Sequence, residues 1–175
     1  MFRLVRNPDL WLEEVMSLTS PHLPAVGLVA QLSKEDRDTL SSYGSFHLAN
    51  PTDVLIAEGV PHGKLFFVIS GLLHARRDDE GKDILLGTIN QGEWVGEVDL
   101  FDPASAVCSV IAMEPSQYWM ITRQDLEDFI NNYPEAGIQI LIGVAATLGR
   151  RLRGVTKMLA EQTELASIRS SLFQS

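Results

Sequence analysis

The chain has 175 residues, 45% of them hydrophobic and 21% charged, with a formal net charge of −9. That length suits one domain with a sizeable core and that composition excludes disorder. The excess of acid argues against a nucleic-acid binder, because duplex binding draws its strength from basic side chains that displace phosphate counterions.

The first residues, 1–9, lack the apolar stretch of a signal peptide. One helix is predicted over 9–16. Ser33, Lys34, Glu35 and Asp36 have the spacing of a capping box that opens a second helix reaching about Tyr43. From Gly44 the pattern changes to short apolar runs broken by turn residues: 54–57, 65–70, 72–76, 84–89, 106–112 and 117–122. Such spacing reads as an antiparallel roll or sandwich. The polar segment 78–82, with Gly81, should be an exposed hairpin tip.

Thr122 to Asp125 is a second capping box, opening a helix with Leu126, Phe129 and Ile130 on one face, and Pro134 restarts the helix as a first-turn proline. Thereafter Ile138, Leu141, Ala145, Leu148, Leu152, Val155 and Leu159 recur in steps of three and four, an apolar seam part of which a second protein surface must cover. Met158, Leu165, Ile168 and Leu172 continue a different seam. Charge is uneven too: residues 1–133 hold 20 acidic and 9 basic side chains, residues 134–175 hold 3 and 5. An acidic partner would dock on the latter, although a solvated helix face explains the arginines equally well.

The expected organisation is therefore N-terminal helices over 1–43, a mainly β antiparallel double-stranded roll over 44–122, and a short helix and long C-terminal helix over 123–175, all one structural domain. No apolar run is long enough for a membrane span, and the single cysteine, Cys108, cannot form an internal disulfide. A cytoplasmic protein is expected.

Three segments carry a resemblance. Residues 56–59 with 65–71 pair a turn glycine, an aromatic strand and a second glycine; residues 89–100 run Ile-Asn-Gln-Gly-Glu-Trp-Val-Gly-Glu-Val-Asp-Leu; residues 121–126, 133–135 and 148–153 follow in order. Over about residues 33–153 the chain resembles the cyclic nucleotide-binding family, which includes catabolite activator-like regulators. The resemblance implies a phosphate-binding cassette over 92–110, in which backbone N–H groups and an arginine hold a cyclic phosphate and a glutamate takes the ribose hydroxyl. It places Gly96, Glu97, Val98, Ser105, Ala106 and Val107 at the ligand. Ala106 stands where the family has its arginine, and Asp99 and Asp102 add carboxylates expected to face the phosphate.

That departure predicts a sensor or adaptor that does not bind cyclic AMP in the usual way and works through protein interactions, with a homodimer formed along the C-terminal helix. The alternatives are a sensor for another nucleotide-like or small ligand, with Arg76 or Arg77 as a substitute cation, and a metal-dependent cupin-like enzyme using His22, His47, His62 or His74. The absence of any His-x-His pair weighs against the last. Cys108 reads as a small core residue, and Trp94 and Trp119 as packing residues. No catalytic residue, metal, cofactor, nucleic acid or membrane is expected, and no DNA-reading domain fits in the residues after Arg153.

Overall fold

Residues 22–172 are described by the structure, a computed structural model, with the side chains of its last helix described through residue 164. The predicted helix over 9–16 lies outside them. A 3₁₀ turn, Gly27–Gln31, leads to α1, Lys34–Ser42. Ser33 caps α1 as its spacing predicts: its hydroxyl accepts the Asp36 N–H at 3.0 Å and donates to the Asp36 carboxylate at 2.7 Å.

The strands are β1 Ser45–Ala49, β2 Val54–Ile56, β3 Lys64–Ser70, β4 Leu73–Asp79, β5 Lys82–Ile89, β6 Trp94–Val95, β7 Ser109–Ala112 and β8 Ser116–Thr122. They form two four-stranded sheets, ordered β1-β8-β3-β6 and β2-β7-β4-β5, with antiparallel pairing throughout. This is the antiparallel roll expected. The hairpin tip falls where Gly81 placed it: Glu80 and Gly81 both take positive φ, 53° and 83°, the geometry that joins two twisted strands tightly.

Alternation along the strands builds the core. Phe66 and Val68 of β3 meet Ala49, Ile56, Leu73, Ile89, Val95, Val110 and Ala112 between the sheets. Leu65, Phe67 and Ile69, on the opposite face of β3, are buried as well. There Phe67 packs on Trp94 (ring centroids 4.9 Å) and Trp94 on Trp119 (6.3 Å), while the Trp119 Nε1–H donates to the Ser41 carbonyl of α1 at 3.2 Å. With both faces covered, β3 must be apolar at every inner position, which is why it reads as an unbroken run. Each such large side chain contributes about 1.5–3 kcal/mol by leaving water.

Helix α2, Glu97–Phe101, interrupts the roll between β6 and β7. Helix α3, Arg123–Asn132, follows β8; Thr122 caps it by accepting the Asp125 N–H at 3.2 Å, and Leu126 and Phe129 turn inward. Pro134 begins α4, Pro134–Leu172, at the first-turn position, where a missing N–H costs no helical bond. The chain divides into two compact units, the first ending at Ile140 and the second beginning at Leu141. In the first, Ala136 and Ile140 of α4 are buried. In the second, Leu141, Ile142, Leu148, Leu152, Val155, Met158 and Leu159 are all exposed.

Candidate functional site: the cassette between β6 and β7

The cassette starts with a backbone constraint. After β6 the chain turns at Gly96 with φ 94°, and a Cβ built there would stand 2.4 Å from the Lys64 carbonyl oxygen and 3.0 Å from the His62 ring. Only glycine fits that conformation and that space. The turn aims Glu97, Val98 and Asp99 into α2, whose bonds run from the Leu100 N–H to the Gly96 carbonyl (3.2 Å) and from the Asp102 N–H to the Val98 carbonyl (2.8 Å). Glu97 and Leu100 are buried, whereas Val98 and Phe101 face outward.

Asp99 corrects the expectation drawn from the sequence. Its carboxylate does not face a ligand but turns into the fold, where Oδ2 accepts the N–H groups of His62 (2.7 Å) and Gly63 (2.6 Å) and Oδ1 accepts that of Ala104 (3.0 Å). Three N–H donors on one buried carboxylate favour its charged form, so its pKa is held below the ordinary carboxylate value, the Gly63 N–H contributing most. Asp102 remains exposed. Beside Asp99, His62 uses Nδ1 to accept the Lys64 N–H at 3.1 Å. Burial is the main cause of a lowered His62 pKa, with the nearby Asp99 charge opposing it.

Arg123, the first residue of α3, completes this frame. Its backbone N–H donates to the Gly63 carbonyl at 3.1 Å and its Nε–H to the Leu100 carbonyl at the end of α2, at 2.6 Å. The loop before β3, the cassette helix and the start of α3 are thereby bonded to one another. Sequence reasoning placed Arg123 in a capping box and a family-like segment and weighed His62 as a metal ligand, and it found neither of these bonds because neither Arg123 contact is local and the His62 contact depends on its turn.

The other half of the cassette is built differently. Ser105 and Val107 are exposed. Ala106 between them is half-buried and packs its methyl against the apolar core between the sheets, while its carbonyl accepts the Gly59 N–H at 2.8 Å and its N–H donates to the Val60 carbonyl at 3.4 Å. The loop of residues 59–64 thus borders both halves, meeting Ala106 at one end and Gly96 at the other. Of the two candidate substitute cations, Arg76 is engaged on the hairpin, with Nε and Nη2 each 2.7 Å from the Asp83 carboxylate. Arg77 lies 3.8 Å from Glu58. Cys108 is half-buried just before β7, and Trp94 and Trp119 are core residues. Among the described residues, no group of three or more His, Cys, Asp and Glu side chains is placed to hold a metal ion, and no helix is long and apolar enough to cross a membrane.

Comparison with known proteins agrees with this geometry. Residues 48–133 match the family model of the cyclic nucleotide-binding domain. The chain is 31% identical over 108 residues to the CRP-like cAMP-activated global transcriptional regulator of Mycobacterium tuberculosis, covering 61% of this chain and 46% of that one. It spans about half the length of the curated relatives it matches. Among solved structures, the catabolite activator protein of Thermus thermophilus superposes with a TM-score of 0.68 at 26% identity, over 82% of this chain and 63% of that one. A cyclic nucleotide-binding domain from Methylobacillus flagellatus gives 0.67 at 23% identity, over 85% and 82%, a likeness of fold. With a glycine-led turn set in an antiparallel roll, and its sequence matched over residues 48–133, the chain carries over those residues a domain of the cyclic nucleotide-binding family.

Proposed function

We propose that this domain is a regulatory sensor or adaptor, not an enzyme, that acts on a second copy of itself or on another protein through α4, and that it does not take cyclic AMP in the manner of its relatives. The observation that carries this reading is Ala106: at the position of the family's clamping arginine, the chain offers a methyl group packed into the apolar core. Losing one partner of a desolvated charge pair costs about 2–5 kcal/mol, or roughly 30-fold to several-thousand-fold in affinity. Titration of cyclic AMP and cyclic GMP into the purified protein tests it, with no binding at micromolar ligand as the expected result.

The frame around Asp99 supports the regulatory part. Arg123 bonds the cassette helix to the start of α3, and α3 is followed after Tyr133 by α4, so a change in the cassette has a bonded route to the long helix. A homodimer along α4 is supported by the exposure of Leu148 (37%) and Leu152 (68%), since each large aliphatic left in water forgoes about 1.5–3 kcal/mol. Sedimentation at micromolar protein should return a dimer, and Leu148→Asp with Leu152→Asp should return a monomer; an unchanged mass in the variant refutes the interface. The net charge of −9 supports the absence of duplex DNA binding by these residues, and a cytoplasmic location accords with the sequence.

A second reading rests on the intact first half of the cassette. Gly96 keeps its left-handed turn and Glu97 stays buried at the start of α2, a shape that suits a small ligand needing no phosphate clamp. Ligand-dependent shifts in melting temperature across a panel of uncharged and cationic small molecules would separate this sensor from the adaptor.

A further inference from the structure

His62 sits in a place where one proton changes two bonds. Its side chain is 11% exposed, under Gly96 and against Phe66 (ring centroids 5.9 Å), in the loop that borders both halves of the cassette. Nδ1 accepts the Lys64 N–H at 3.1 Å, and a nitrogen that accepts carries no hydrogen, so the neutral ring bears its hydrogen on Nε2. The same Nδ1 lies 3.6 Å from Asp99 Oδ2, an approach between two acceptors that gains nothing while the ring is neutral. Protonation would reverse both relations. An Nδ1–H can no longer accept from Lys64, and it gains a charged acceptor already beside it, the same oxygen that holds the His62 and Gly63 N–H groups.

We propose that His62 is a proton-operated latch on the cassette: with the ring neutral, the loop of residues 59–64 is bonded as described, and with the ring protonated, His62 pairs with Asp99 and releases the Lys64 N–H. The charged groups acting on the ring are Asp99 and Glu97 from α2 and Lys64 from β3. The release reaches further than the ring, because the Gly63 carbonyl takes the Arg123 N–H and Asp99 also holds Ala104. The device thus moves the start of β3, the loop after α2 and the start of α3 together. It requires no ligand and stands whether or not the pocket binds one.

Nuclear magnetic resonance on the whole chain tests this between about pH 5 and 8, the range in which histidine changes charge. The backbone amides of Gly63, Lys64, Ala104 and Arg123 should shift with one shared midpoint below the ordinary histidine value, equal to the midpoint of the His62 ring itself. His62→Asn, whose side-chain oxygen can still accept the Lys64 N–H but does not titrate, should abolish that transition. Ring nitrogen shifts of the unaltered protein at neutral pH should show the hydrogen on Nε2, a measurement that needs no variant. Flat amide shifts, a transition that survives in His62→Asn, or a neutral ring with its hydrogen on Nδ1 would each overturn the latch.

Discussion

The two halves of the cassette are held by different physics. From Gly96 to Leu100 the chain is fixed three times over: by a left-handed turn only glycine fits, by a buried carboxylate holding three backbone N–H groups, and by the Arg123 Nε–H on the Leu100 carbonyl. From Asp102 to Val107 the side chains are exposed apart from Ala106, and beyond the Asp102 and Ala104 N–H bonds to Val98 and Asp99 the segment is held by backbone bonds between Ala106 and Gly59 and Val60. The difference separates keeping the shape of a binding site from keeping its ligand chemistry. The first half carries shape, and substitution there disturbs the fold. On the proposed reading the second half is where the family's clamp would stand, and the alanine found there leaves no buried charge unpaired.

Asp99→Ala strikes the first half hardest. Three N–H groups, part-buried, lose a charged acceptor at once, and each such bond contributes about 1.5–3 kcal/mol, so a loss of about 3–5 kcal/mol is expected after local relaxation and solvation of the freed groups. Denaturant unfolding measures it. The pH dependence follows in sign: the folded-state pKa of Asp99 is lowered, so its stabilisation is complete above the unfolded-state value and is lost as pH falls through the folded one. Asp99→Asn should therefore flatten part of the acid limb of the stability curve.

Gly96→Ala comes next, at about 2–4 kcal/mol, because the new Cβ meets the Lys64 backbone as well as taking a disfavoured φ. Gly81→Ala provides the control. Its φ is similar at 83° but nothing lies within 4 Å, so only the conformational cost of about 1–2 kcal/mol remains. Equal losses at the two glycines would show that the cassette turn is not sterically special.

The smallest effect belongs to the second half. Val107→Ser removes an exposed methyl surface with no packing role and should change stability by less than about 0.5 kcal/mol. A loss comparable to that of Gly96→Ala would erase the distinction between the halves.

What the sequence made legible follows the same division between local and distant causes. Ser33 and Thr122 announce α1 and α3 because a cap bonds within its own turn, Gly81 marks the hairpin because its φ is local, and Pro134 marks the first turn of α4. β1 went unseen because His47 and Ser45 interrupt its apolar pattern, and β6 because two residues show no period. β7 begins at Ser109, later than the apolar run, because Ala106 bonds to the 59–60 loop instead of extending the β7 ladder. Gly96 was singled out only through the family resemblance, as a ligand residue, and its left-handed turn comes from the structure. Asp99 was misplaced because its partners His62 and Gly63 lie 37 and 36 residues away, a contact that no spacing rule encodes.

On the proposed reading the cassette keeps its frame and lacks only the family's clamp. Isothermal titration of cyclic AMP against the native chain and against Ala106→Arg with Asp102→Asn tests it most directly. Asp102 is the exposed carboxylate that would compete for the new arginine, and Asp99 is left in place because the frame needs it. No heat is expected from the native chain, measurable binding from the double variant, and weakening of that binding by Glu97→Gln. Micromolar binding by the native chain, or no binding by a double variant that keeps the native melting temperature, would contradict that reading.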